Sequence, residues 1–212
     1  MTGLVLGAIS SDAWMEAIFS GVALGAKYAL VALGFVIVFK ATGVINFAQA
    51  SLVLVGAYLC WNFAHTWGWN FYLALALSMV GGAVLGLLLE VLLLRKMSGE
   101  APFTLIMVTI GILFVIDNVV TAIWGAEGRD LPDPWGLRTW KFGDVDIAVA
   151  DVWTIGITAV LLVAFFAMFR FSTLGLAMRA SALDQEAALA QGIAPKRVYQ
   201  VAWACAGAVG AV

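Results

Sequence analysis

The sequence predicts an all-α fold, a polytopic bundle of transmembrane helices. The chain of 212 residues is 64% hydrophobic and only 11% charged, and its mean hydropathy is +1.03. That is more apolar surface than a soluble core of this size needs. The apolar residues fall in runs close to the roughly 20 residues that cross a hydrocarbon core of about 30 Å. Backbone groups in lipid must be paired within the segment, so each run is expected to be helical.

The runs delimit five complete spans and the start of a sixth. The first covers Trp14 to Phe39 and carries Gly21 and Gly25 at four-residue spacing, with Lys27 near its middle. A very short connection, Lys40 to Gly43, leads into a second span over Val44 to Ala64. The third runs from Phe71 to Leu94 and holds Gly82 and Gly86, again four apart. Such glycine pairs let helices approach closely and are read as packing, not chemistry. The fourth span, Phe103 to Trp124, contains Asp117 and Asn118, and the fifth is expected over Val152 to Phe169. A sixth opens at Val198 and is still running at Val212, so the chain is expected to be C-terminally incomplete. The whole, residues 1–212, reads as a single transmembrane domain with two long connections, 125–151 and 170–197.

The first of these connections is acidic and rich in Trp, Pro and Gly, with Glu127, Asp130, Asp133, Asp144, Asp146 and Asp151. Trp124, Trp135, Trp140 and Trp153 suit an interfacial belt. It reads either as a landing surface for a soluble partner or as a structured cap over the spans. The second connection contains Ser181 to Pro195, predicted to hold a short helix. Ser181-x-x-Asp184 fits a capping box. Leu183, Ala187 and Ala190 fall on one face of the helix-forming residues that follow, Gly192 suits a left-handed cap, and Pro195 prevents continuation. This helix either lies in the membrane interface or docks on a partner.

Seven basic residues (Lys40, Arg95, Lys96, Arg170, Arg179, Lys196 and Arg197) lie on the same side as residues 170–197 if the spans alternate. Only Arg129, Arg138 and Lys141 lie opposite. The positive-inside bias makes 170–197 cytoplasmic and puts the N-terminus outside. No Lys or Arg precedes Lys27, so the basic n-region of a cleaved signal peptide is not seen.

Several function classes are disfavoured. No basic cluster tracks phosphates, so no nucleic acid is expected. Cys60 and Cys205 sit in apolar runs as small hydrophobes. His65 has no His or Cys neighbours, so neither a metal site nor a cofactor is expected. The chain has no H-E-x-x-H, no G-x-S-x-G and no G-x4-G-K-[ST] phosphate loop, so no catalytic residue is assigned and no ATP hydrolysis is expected in this chain.

The polar residues inside the spans are the candidate functional groups, because an ionisable group deep in lipid costs roughly 2.5 to 3.5 kcal/mol unless it faces a cavity or partner. Lys27 and Asp117 either pair with each other or line a hydrated substrate path. Asn46 and Gln49, three apart, are expected to share a helix face, which either bonds another helix or meets a ligand.

Glu186-Ala187-Ala188, then three residues, then Gly192, resembles the EAA-x3-G loop of ABC importer permeases, which forms a cytoplasmic coupling helix on the ATP-binding subunit. Gly25-Ala26-Lys27-Tyr28-Ala29-Leu30-Val31-Ala32-Leu33-Gly34, then Gly43-Val44-Ile45-Asn46-Phe47-Ala48-Gln49, then Gly56-Ala57-Tyr58, resembles the N-terminal signature of branched-chain amino acid ABC transporter permeases. That family carries G-S-x-Y-A-L-x-A-L-G, then G-x-I-N-F-A-x-G, then G-A-Y. Gly175-Leu176-Ala177-Met178-Arg179-Ala180, leading into the EAA-like loop, extends the likeness over the whole chain. Lys27 stands at a position usually apolar in that family, and Ala50 where Gly is usual.

The resemblance implies a permease subunit of an ATP-driven importer for branched-chain or related hydrophobic amino acids, in the bacterial inner membrane. Its partners would be two cytoplasmic ATP-binding subunits, a second homologous permease, an extracytoplasmic solute-binding protein and membrane lipid. Glu186, Ala187 and Gly192 would couple to the ATPase. Asn46, Gln49, Lys27 and Asp117 would belong to the substrate path. The alternative is a stand-alone ion-coupled transporter or channel for small polar solutes such as amides or urea, for which Lys27 and Asp117 provide the charges.

Overall fold

A computed structural model describes residues 11–97, 100–131, 134–136, 138–142 and 145–212. Asp133 and Asp144 of the acidic connection lie outside the described residues. The elements, in order, are α1 (Ser11–Thr42), α2 (Gln49–Trp61), α3 (Phe71–Leu92), α4 (Pro102–Trp124), β1 (Thr139–Phe142), β2 (Val145–Ala148), α5 (Val149–Phe171), α6 (Thr173–Leu183), α7 (Gln185–Ala190) and α8 (Pro195–Gly210). A π turn, Asn62–Thr66, continues α2, and a 3-10 turn, Leu94–Met97, follows α3.

Four segments are long and apolar enough to cross a membrane: Ala13–Thr42, Phe71–Met97, Pro102–Trp124 and Val149–Phe171. They match the first, third, fourth and fifth expected spans. The second differs. The helix expected from Val44 begins at Gln49 and has 13 residues, about 20 Å at 1.5 Å per residue.

Local competition explains the late start. Gly43 takes φ 73°, the left-handed conformation that a glycine accepts without strain. The Val44 N–H goes to Thr42 Oγ1 at 3.2 Å, and the Ala48 N–H to Asn46 Oδ1 at 3.0 Å. These side chains offer the backbone an alternative to the helix ladder. Asn46 therefore precedes α2 instead of sharing a helical face with Gln49.

The 170–197 connection holds two helices instead of one. Ser172 Oγ accepts the Gly175 N–H at 3.0 Å and caps α6. A Cβ on Gly175 would overlap the Phe169 carbonyl, so the turn from α5 into α6 needs glycine there. The Arg179 guanidinium donates back to the same Phe169 carbonyl. Ser181 lies inside α6, buried, and caps nothing. Asp184 takes that role, accepting the N–H groups of Glu186 and Ala187 at 2.9 and 3.0 Å. The result is a six-residue α7, and Leu183 belongs to the preceding helix.

The core is built around α8. Ala202 and Val198 pack with Leu33, Ile37 and Ala41 of α1 and Met178 of α6. Trp203 and Ala206 pack with Val38 and Leu52 on the other side. α3 crosses α8 through glycine: a Cβ on Gly82 would overlap the Gly207 carbonyl, and one on Gly86 the Trp203 carbonyl. This second glycine pair does the packing expected of it. The first, Gly21 and Gly25, has no atom within 4 Å of a built Cβ.

The connection after α4 is not all loop. β1 and β2 form an antiparallel hairpin with Trp140 opposite Ile147. Glu16 of α1 accepts the Asp146 N–H at 3.1 Å, which ties the hairpin to the bundle. Trp135 packs against Phe71 and Trp153, with ring centroids 5.4 and 5.8 Å away.

Candidate functional site

Two cavities lie on either side of a buried layer in the seam between α1, α2 and α8. The smaller, about 200 Å³, sits where α1 ends and α4 begins, and Asn46, Glu90, Arg95, Thr109, Tyr199 and Trp203 are among its walls. The larger, about 380 Å³, lies toward the hairpin end and is lined in part by Lys27, Leu30, Val53, Trp135, Trp153 and Gly210.

Asn46 reaches the smaller cavity from the turn before α2. Its Oδ1 is taken by Ala48, while its buried Nδ2 has no hydrogen-bond partner. An unpaired buried amide donor costs about 1–3 kcal/mol, so this wall favours an acceptor. Thr109 Oγ1 accepts the Phe47 N–H at 3.2 Å and pins the unwound segment to α4.

Glu90 was not singled out by sequence. It is buried at 2% exposure and pairs with Arg95, whose guanidinium nitrogen lies 3.0 Å away and whose side chain is 32% exposed. The signal was available, since Glu90 is the only acid in the third expected span.

Gln49 occupies the layer between the cavities. Its Nε2 donates to the Ala206 carbonyl of α8 at 3.2 Å, and its amide fills the space that a Cβ on Gly34 would take. On α1, Leu30 lines the larger cavity and Val38 the smaller, with Gly34 between them. On α2 and the turn before it the same sequence is Val53, Gln49, Asn46, and on α8 it is Gly210, Ala206, Trp203. Three helices independently place Gln49 at the partition.

Lys27 and Asp117 are not brought together. Among the described residues the ion pairs are Glu90–Arg95 and Lys141–Asp146. Asp117 accepts from Ser51 Oγ at 2.8 Å, joining α4 to α2, and it lines neither of these cavities.

The coupling candidates lie on α7 and its C-terminal turn. Ala188 faces the bundle at 3% exposure, whereas Glu186, Ala187 and Ala190 are exposed. Gly192 adopts φ 81°, as its expected role as a left-handed cap requires. The Gly192 and Ile193 N–H groups return to Leu189 and Ala188 carbonyls at 2.9 and 3.0 Å. Gln185 and Lys196, at either end of this turn, line the smaller cavity, so the exposed segment and the cavity are contiguous.

The family described as "Branched-chain amino acid transport system / permease component" matches residues 17–212. The chain belongs to this permease family. It is 27% identical over 217 residues to the high-affinity branched-chain amino acid transport system permease protein LivH of Escherichia coli (strain K12), covering 94% of this chain and 68% of the relative. The LivH of Salmonella typhimurium is 26% identical over 224 residues, with the same coverage. The probable branched-chain amino acid transport permease protein LivH of Methanocaldococcus jannaschii is 27% identical over 190 residues, covering 86% of this chain and 59% of the relative. No solved structure matches the chain. Family membership and four membrane-length apolar segments make this a multi-pass membrane permease component, as the motifs implied.

Proposed function

We propose that the chain is the membrane-spanning permease subunit of an ATP-driven importer for branched-chain or related hydrophobic amino acids. The observation that carries the reading is the family match across residues 17–212. On this reading α2 with its π turn, and α8, complete a bundle of five spans and the beginning of a sixth in the bacterial inner membrane. The N-terminus is outside, the hairpin forms an external cap, and residues 170–197 are cytoplasmic, as the basic residues favour.

The partners are two ATP-binding subunits, a second permease and an external solute-binding protein. Closure of the ATP-binding subunits pushes on α7 through Glu186 and Ala187, and the Gly192 turn passes the displacement to α8. Because α8 forms walls of both cavities and accepts the Gln49 amide, its movement biases the seam between outward- and inward-open states. That is a population shift driven by differential contacts. Asn46 and Gln49 then belong to the path with Lys27, while Asp117 braces α4 against α2.

Purification of the full-length protein from native membranes in mild detergent tests the reading. The parent is expected to recover an ATP-binding subunit and Glu186→Lys to lose it. Recovery of no ATPase by either form would sink the importer and favour an ion-coupled transporter acting through Lys27.

A further inference from the structure

The covalent route from α7 to α8 runs through Gly192 at φ 81° and the extended Ala194. A glycine turn of this kind guides the next helix but can also flex, absorbing part of a displacement. A firm link between the two helices needs a side-chain contact beyond the turn. Among the described residues no side-chain hydrogen bond or ion pair supplies one, since the α7 bonds are those of its own N-cap, Asp184.

Tyr199 stands one helical turn inside α8, counted from Pro195. Its ring packs on the cluster that holds Leu33, Ile37 and Ala41 of α1 and Met178 of α6, so it joins the start of α8 to both. Its hydroxyl is buried and has no hydrogen-bond partner, a costly condition for a group that both donates and accepts. Gln185, the first residue of α7, places its side chain beside that hydroxyl, and both residues line the smaller cavity. The two groups are neighbours that are not bonded in this conformation. Gln185 also precedes the exposed Glu186 in the same helical turn, so a load on Glu186 moves Gln185 with it.

We propose that Gln185 and Tyr199 form a state-dependent hydrogen bond, open here and closed when α7 is pressed toward the bundle, that makes α8 move with α7. It rests on the permease reading and names the side chains that carry the displacement past the glycine turn. Both are positioning residues: neither is assigned contact with substrate or with the ATP-binding subunit.

The test uses the complete importer in proteoliposomes and reads leucine transported per ATP hydrolysed. Tyr199→Phe removes only the hydroxyl. It is expected to lower that ratio roughly twofold to tenfold, the worth of one hydrogen bond, while the unfolding midpoint in detergent and the recovery of the ATP-binding subunit stay at parent level. Gln185→Ala should do the same, Gln185→Glu should retain the ratio because its carboxylate still accepts the phenolic proton, and the double variant with Tyr199→Phe should be no worse than either single. The state dependence is read by replacing Cys60 and Cys205 with Ala, introducing Gln185→Cys with Tyr199→Cys, and adding a short bismaleimide. Crosslinking is expected to be faster with ATP and vanadate than without nucleotide. A parent-like ratio for Tyr199→Phe, additive effects in the double variant, or equal crosslinking in both states overturns the link. So does loss of the ATP-binding subunit or a lowered midpoint in Tyr199→Phe, because the hydroxyl would then serve docking or folding. A parent that transports no leucine on ATP hydrolysis fails the permease reading itself, whereas a coupled parent with a parent-like Tyr199→Phe fails the link alone.

Discussion

The Gln49 side-chain amide donates to the Ala206 carbonyl at 3.2 Å, in the space left because Gly34 has no Cβ. This contact joins α2 to α8 through a gap in α1, at the layer that divides the two cavities.

Gly34→Ala therefore forces a methyl into the Gln49 amide and is expected to cost about 1–3 kcal/mol. Gln49→Ala vacates the same volume. The double variant should be more stable than the sum of the single effects, since residues in contact couple by about 0.5–3 kcal/mol. Unfolding midpoints in detergent give the cycle, and additive effects would remove the contact from the account.

The α3–α8 crossing predicts a contrast between glycines of similar spacing. Gly82→Ala and Gly207→Ala each push one backbone against the other's carbonyl and should lower the unfolding midpoint. Gly21→Ala meets no atom within 4 Å, and its higher helix propensity should leave the chain unchanged or stabilise it by up to about 1 kcal/mol. Equal effects at Gly21 and Gly82 would place the close helix crossing elsewhere.

The Glu90–Arg95 pair should respond asymmetrically. Arg95→Ala strands a carboxylate that is 2% exposed, whereas Glu90→Gln leaves an arginine that water already reaches, with its side chain 32% exposed. Breaking a fully buried pair costs about 3–5 kcal/mol, so about 2–3 kcal/mol is expected for Arg95→Ala and about 1 kcal/mol for Glu90→Gln. Chemical denaturation of the two variants decides the order.

At α7 the N-cap is Asp184, not Ser181. Asp184→Ala should cost the helix about 1 kcal/mol and Asp184→Asn far less. Gly192→Ala, at φ 81°, should cost a similar amount because a Cβ disfavours that conformation. If α7 is the coupling element, leucine-stimulated ATP hydrolysis in proteoliposomes falls for Asp184→Ala and Gly192→Ala while Asp184→Asn and Ser181→Ala keep it.

What could be read from the sequence was local or compositional. Hydropathy located four of the spans, because crossing lipid demands an unbroken apolar run. Gly192 was legible as a left-handed cap, since its conformation depends on the residue itself. Ordered motifs from Gly25 to Gly192 identified the family, although one capping motif was placed three residues early: Ser181 and Asp184 are both good caps, and only packing buried the first.

Tertiary structure decided where the polar residues go. In a membrane span both the lipid face and the packed face are apolar, so the periodicity that orients a soluble amphipathic helix is weak and the sequence carries little direction. Asn46 and Gln49 look alike as neighbouring amides, yet one lines a cavity and the other closes the partition behind it. Glu90 became visible as a buried ion pair only once α3 had been placed beside the cavity. The separation of Lys27 from Asp117 likewise followed from helix placement, with Ser51 of α2 engaging Asp117 and leaving Lys27 against an apolar wall. The chain's apolar runs determine that it is a membrane bundle. The crossing of α3 and α8 through glycine, and of α1, α2 and α8 around Gln49, determines which of its few polar groups are buried in packing and which line a cavity.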